Sequence, residues 1–294
     1  MRLLKVTQIG GLAHEALAQG SGGKVTGITS KGIFLDSARR IFFLTKADYK
    51  SPYNLQLPEL ASMVDQIQVG DTWKVLDECI LLIDGELRID YRSATVWSPE
   101  PLTVIETDFQ YQQQRMRYFV DQLYNLDPLK GWAFLVPGQP QNSLEAAIIR
   151  MTSEFTSSYN KADLDGCLAA SRPILGLGGG LTPSGDDWLA GFILLHARRN
   201  QATGTPSDFQ VAYNKALIPL AFERTTSISA NRIEAACNGW AEELFIKVAD
   251  RLFTQSVNIS EADLQTIVNF GHSSGVDTCM GIWAGIQSLA RDTE

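Results

Sequence analysis

Cysteine and histidine are scarce in this chain, with four and three among 294 residues. Cys79, Cys167, Cys237 and Cys279 are scattered, none in C-x-x-C spacing, and have apolar neighbours. A disulfide frame and a cysteine zinc site are thereby set aside, and buried reduced thiols in a cytoplasmic protein are expected. A basic excess is also missing. Lys plus Arg number 25 against 33 Asp plus Glu, a net charge of −8, which argues against a nucleic-acid partner held through its phosphates. Long apolar runs are lacking too. The longest, Leu189–Leu195, is far short of the roughly 20 residues of a membrane span. Lys5 follows Met1–Leu4 at once, so neither a secretory leader nor a membrane partner is expected.

Familiar catalytic signatures are missing as well. No G-x-S-x-G elbow is found, no Lys follows the glycine run as in a P-loop, and Leu181 stands where G-x-G-x-x-G requires glycine.

What is present divides by texture into an α+β chain: a small β-barrel or sandwich over residues 1–105, then a mostly helical domain over 106–294. The segments from Gly32, Arg40, Thr72, Cys79 and Leu87 are short, rich in β-branched and aromatic residues, and bounded by turn formers. Asp84-Gly85 predicts a two-residue hairpin turn, and Pro99 and Pro101 mark the boundary. Beyond Asp108 the apolar period becomes helical, giving about seven or eight helices. Phe109, Met116, Phe119, Val120 and Leu123 share one face; Leu144, Ile148, Met151 and Phe155 share another. Residues Ile233, Ala236, Cys237, Trp240, Leu244, Val248 and Leu252 read as a third stripe. Pro219 is expected to end or kink the helix starting near Asp208.

Two glycine-rich turns carry the chemistry. In Gly176–Gly191, four glycines in five positions (Gly176, Gly178, Gly179, Gly180) precede Thr182-Pro183-Ser184-Gly185-Asp186-Asp187. Glycine there permits positive φ and close backbone approach, and Ser184 reads as an N-cap with Asp187 three residues on, a capping box. The second turn, Gly271-His272-Ser273-Ser274-Gly275-Val276-Asp277, repeats S-G-x-D-x-x-x-G at the same spacing as Ser184–Gly191. Two such helix starts offer N–H groups and partial positive charge to an anion. Asp186 points away from Asp187 around the axis and is free for a substrate or a divalent cation, with Mg²⁺ the candidate ion. Between the turns, Arg224, Thr225 and Ser227 form a donor-rich stretch, with Ser227 or Ser229 as a helix cap. His196 reads as a packing residue. His272, before the second helix start, is the acid–base candidate.

Gly180–Asp187, the T-T-x-x-S of Thr225–Ser229 and the G-H-S-S-G-x-D of Gly271–Asp277 resemble a bacterial family of AllH-type subunits of oxamate carbamoyltransferase. The resemblance implies a place in purine (allantoin) degradation, FdrA-like and other partner subunits, and carbamoyl transfer involving carbamoyl phosphate. It supplies no site assignment, so the roles come from chemistry. Asp187, Asp277 and His272 would be catalytic; the glycines, Thr182, Ser184, Asp186, Arg224, Thr225, Ser227, Ser273, Ser274 and Gly275 would hold a small anion. A non-catalytic assembly subunit and a Mg²⁺-dependent phosphotransferase are the alternatives.

Overall fold

A computed structural model describes residues 2–20, 22–62, 64–82, 86–102, 108–204, 206–254 and 259–290. The turn expected at Asp84-Gly85 and the side chain of Phe109 lie outside the described residues. The chain divides into two compact units, Met1–Pro99 and Glu100–Glu294.

The described residues of the first unit form a mixed sheet of ten strands. They are β1 (Arg2–Lys5), β2 (Gln8–Gly10), β3 (Gly22–Ile28), β4 (Gly32–Ser37), β5 (Arg40–Thr45), β6 (Asn54–Gln56), β7 (Thr72–Leu76), β8 (Cys79–Leu82), β9 (Leu87–Asp90) and β10 (Thr95–Trp97), with helix α1 (Gly11–Ala18) after β2. Their order is β1-β9-β8-β7-β3-β4-β5-β6-β2-β10. β1 and β2 are separated only by Val6 and Thr7, yet β1 pairs with β9 and β2 with β6 and β10. One bent N-terminal segment therefore joins both ends of the sheet, which curls on itself and leaves few free edges. Alternation along the strands turns Leu4, Val25, Leu35, Phe42 and Ile80 into a dry interior. β1, β2, β3, β6, β10 and α1 carry too few periodic residues to have been legible beforehand.

The second unit is helical: α2 (Phe109–Leu126), α3 (Ser143–Asn160), α4 (Leu164–Ile174), α5 (Ser184–Thr203), α6 (Asp208–Arg224), α7 (Ser227–Cys237), α8 (Glu243–Arg251), α9 (Glu261–Val268) and α10 (Ser274–Ala290). Nine helices are thus found among the described residues, where seven or eight were expected. One reason is that the stripe Ile233–Leu252 is two helices. Gly239 adopts φ +74° and breaks the chain between α7 and α8, and the Asn238-Gly239 pair is an ordinary helix stop. Pro219 lies inside α6, which continues to Arg224; it does not end the helix. Leu144, read as a core position, is 60% exposed, while Ile148 and Phe155 are buried.

At the centre α5 packs against α10. A Cβ on Gly191 would lie 2.0 Å from the Thr278 carbonyl oxygen, and one on Gly281 would lie 1.9 Å from that of Trp188. The fourth position after each motif aspartate is therefore the contact point of two backbones. Residues Gly185 to Arg198 of α5 are all buried, which explains its weak amphipathic pattern: a helix enclosed on every side has no polar face. His196 sits within this core, beside Tyr159 and Phe192 and bonded to Ser288 Oγ at 3.0 Å. Arg198 is paired there with Asp250 (2.6 and 2.7 Å) and donates to the Glu100 carbonyl at 2.8 Å.

Candidate functional site: two crossed helix starts

The two S-G-x-D segments are built alike and meet. α4 ends at Ile174 and α9 at Val268; each is followed by a loop and then by α5 or α10. The Gly185 N–H donates to the Leu177 carbonyl (2.9 Å) and the Gly275 N–H to the Phe270 carbonyl (3.1 Å). A Cβ at Gly185 would strike the Ile174 carbonyl at 2.1 Å, and one at Gly275 the Ile267 carbonyl at 1.9 Å. Glycine is required at both places because each helix start presses on the end of the helix before it.

The caps differ from expectation. Pro183, not Ser184, is the N-cap of α5 and makes no side-chain cap. The Asp186 and Asp187 amides both donate to its carbonyl (3.0 and 3.2 Å), as Asp277 N does to that of Ser273 (3.0 Å). α7 is capped by Thr226, which accepts from Ser229 N, rather than by Ser227 or Ser229. The amides of Gly185, Asp186, Asp187, Gly275 and Asp277 are therefore already engaged by backbone carbonyls and are not free donors for an anion.

Released from capping, the side chains reach across. Thr182 Oγ1 and Ser274 Oγ are 2.7 Å apart, and Ser184 Oγ and Ser273 Oγ 3.4 Å. The Ser274 hydroxyl acts on Asp187, whereas those of Ser184 and Ser273 act on Asp277. Each motif thus lends the serine of its Ser-Gly pair, Ser184 or Ser274, to the other motif's aspartate. Both aspartates are buried, at 1% and 0% exposure, and each feels burial first. Burial pushes the Asp187 carboxyl up to about 7, against the opposing pull of Arg232, and the negative Asp277 pushes the same way. Asp277 is likewise raised by burial; Ser273, Ser184, the Trp132 amide and His272 oppose the shift.

The two halves differ in what completes them. Arg232 on α7 forms an ion pair with Asp187 Oδ1 and also reaches Glu242 Oε2 at 3.3 Å. Asp277 Oδ1 instead accepts the Trp132 N–H at 2.7 Å. Gly131, at φ +50°, lies so close that a Cβ would fall 2.2 Å from Asp277 Oδ1. In each aspartate the second oxygen, Oδ2, is buried without a hydrogen bond at full geometry. Arg232, Trp132, Gly131 and Glu242 went unnoticed in the sequence. An arginine beyond a hydroxyl-rich helix entrance was the one available hint.

Asp186 belongs elsewhere. Its Oδ1 accepts from Gly176 N at 2.8 Å and its Oδ2 from the Thr225 hydroxyl, and burial raises its carboxyl above the usual range. Asp186 and Asp187 therefore diverge, and among the described residues no three His, Cys, Asp or Glu gather to hold a metal ion. The Leu181 carbonyl accepts from the Thr226 hydroxyl at 2.6 Å, so the residue that caps α7 also holds the far end of the glycine loop. Gly178, Gly179 and Gly180 are exposed, as are Arg224, Ser227 and His272; of these His272 acts on Asp277.

A cleft of about 320 Å³ reaches this cluster at Ser184, Gly131 and Trp132. Its other walls are the rest of the stretch from Tyr124 to Gln141 and the start of α3, including Phe134, Leu144, Glu145 and Ile148.

No helix among the described residues is long and apolar enough to cross a membrane. No solved structure was found to match the chain. The family model described as oxamate carbamoyltransferase subunit AllH matches residues 174–286, from the last residue of α4 through both motifs and most of α10. Over those residues, fewer than half of the chain, the sequence is similar to the AllH family.

Proposed function

We propose that this chain is a subunit of an enzyme that transfers a carbamoyl group, and that the crossed helix starts form its substrate-holding centre. The observation that carries the reading is the exchange of Ser184 and Ser274 between Asp277 and Asp187. It fixes two buried carboxyl groups and four hydroxyls within one cluster, beside a cleft. Carbamoyl transfer demands chiefly positioning and charge stabilisation. Hydroxyls and a guanidinium suit a small oxyanion such as oxamate or carbamoyl phosphate. Because the amides of Gly185, Asp186, Asp187, Gly275 and Asp277 are engaged and the serine hydroxyls turn to the two aspartates, the donors such an anion would draw on are the exposed groups of the glycine loop, Arg224 and His272. Asp277 orients an amide nitrogen, and His272 moves a proton at the exposed rim.

Thermal unfolding of the purified chain with phosphate, carbamoyl phosphate or oxamate tests this. A ligand at 100 times its Kd adds about 2.7 kcal/mol of apparent stability. Asp187→Asn and Asp277→Asn, folded by circular dichroism, should lose that gain. A wild-type chain that gains nothing from any of the three contradicts the reading. That result would favour the second one, an assembly subunit whose chemistry lies on its partners. The observation behind that alternative is apolar exposure on the cleft rim, with Leu129 88% and Leu144 60% exposed.

A further inference from the structure

Where α5 crosses α10, two buried carboxyls meet with little positive charge to balance them. The axes approach at Gly191 and Gly281, each one turn past its aspartate, so Asp187 and Asp277 stand at matching levels and the charge of one acts on the other. They are 1% and 0% exposed, and in each Oδ2 lacks a hydrogen bond at full geometry. The charged groups that face them come from α7, the turn into α8 and the loop before α10: Arg232, Glu242 and the exposed His272. Asp186, next along α5, is turned to Gly176 N and the Thr225 hydroxyl.

The guanidinium of Arg232 is divided. It pairs with Asp187 Oδ1, reaches Glu242 Oε2 at 3.3 Å, and lies 5.9 Å from the centroid of the Phe245 ring. Asp277 is held instead by the Trp132 N–H, at 2.7 Å. Asp187, Asp277 and Glu242 thus share one cation, which is itself only 15% exposed. Two carboxylates in one buried site do not both ionise against a divided countercharge; one keeps a proton. That proton also turns one of the two unpartnered acceptors into a donor, to which the serine oxygens offer lone pairs. We infer that Asp187 and Asp277 hold one proton between them at neutral pH, and that Arg232, shared with Glu242, is the positioning residue that keeps the count at one. Without Arg232 the pair takes up a second proton; with Glu242 neutral, Arg232 draws the last one off at lower pH. A pair holding one proton offers a carboxylate that accepts and a carboxylic acid that donates, a matched base and acid. That use rests on the reading of the site given above, whereas the proton count does not.

The test reads the proton directly, as the infrared C=O stretch of a carboxylic acid in the full chain, assigned with isotope-labelled aspartate and followed against pH. Wild type should show such a band at neutral pH, and Asp187→Asn and Asp277→Asn should each remove it, because the carboxyl left behind no longer faces a like charge and ionises. A buried acid acting alone would vanish in one variant only. Arg232→Gln should raise the pH at which the band is lost by about one unit or more. Glu242→Gln should lower it, and Arg232→Lys, which keeps the charge, should leave it near the wild-type position. Should Arg232→Gln fail to fold, the Glu242→Gln shift decides. No such band in the wild type, a band lost in only one Asn variant, or a titration indifferent to Glu242 overturns the inference. Stabilisation by phosphate, carbamoyl phosphate or oxamate in a chain without the band would leave the proposed function standing and refute the inference alone; the band without any stabilisation would do the reverse.

Discussion

Asp187 is the residue at which burial and charge oppose each other most directly. Its carboxyl is pushed up to about 7 by burial although Arg232 pulls it down. A carboxyl whose pKa is raised by folding binds more protons folded than unfolded. Its contribution is therefore complete below the unfolded value near 4 and is lost as pH rises through 7. Wild-type unfolding temperature should accordingly carry a component that falls between pH 4 and 7, and Asp187→Asn should remove it. His196 has the opposite sign. Burial lowers its pKa to about 3, so its contribution is present above about 6.5 and lost as pH falls toward 3. Differential unfolding scans of Asp187→Asn and His196→Gln against wild type separate the components. An Asp187→Asn profile parallel to wild type from pH 4 to 7 would count against a perturbed carboxyl. Little of this was visible in the residue string. Asp187 and Asp277 were picked out by their spacing, but that spacing suggested capping boxes within each helix, and the serines point across instead.

Among the elements, the pair α5 and α10 holds the site, because the position of each aspartate is set by how closely the two axes approach. Gly191 and Gly281 make that approach, each facing a backbone carbonyl that a Cβ would strike. Gly191→Ala and Gly281→Ala should each cost about 1–3 kcal/mol or more, as overpacking does, measured by urea unfolding. Ligand binding should suffer in the same variants, since the serines and aspartates would part. A loss below 0.5 kcal/mol in both would mean that the helices separate freely. The recurring glycine was legible as one helix turn past each aspartate. Its role was not, because sequence spacing says which face a residue occupies but not which backbone comes to meet it. Helix stops behaved similarly: Gly239 ends α7 although apolar residues continue in phase beyond it, and Pro219 is carried inside α6. Strand texture identified β4, β5, β7, β8 and β9. The three-residue strands β2, β6 and β10 show no period, and tertiary pairing alone makes them strands.

Across the whole chain, segments ninety residues apart in sequence close one cluster. The repeated S-G-x-D-x-x-x-G pattern announced that two like elements exist, and their exchange of serines became visible only in three dimensions. The α+β class was legible from the change of apolar period along the chain. The bent β1–β2 segment that joins the ends of the sheet was not, because a two-residue bend leaves no compositional trace.

Double-mutant cycles on the serines and aspartates test the crossed arrangement most directly, read as unfolding free energies. Ser184→Ala with Asp277→Asn, and Ser274→Ala with Asp187→Asn, should show coupling of about 0.5–3 kcal/mol, as contacting residues do. Coupling between Ser184 and Asp187, or between Ser274 and Asp277, should be small by comparison. Strong coupling inside each motif and none across would return both serines to local capping and contradict the account.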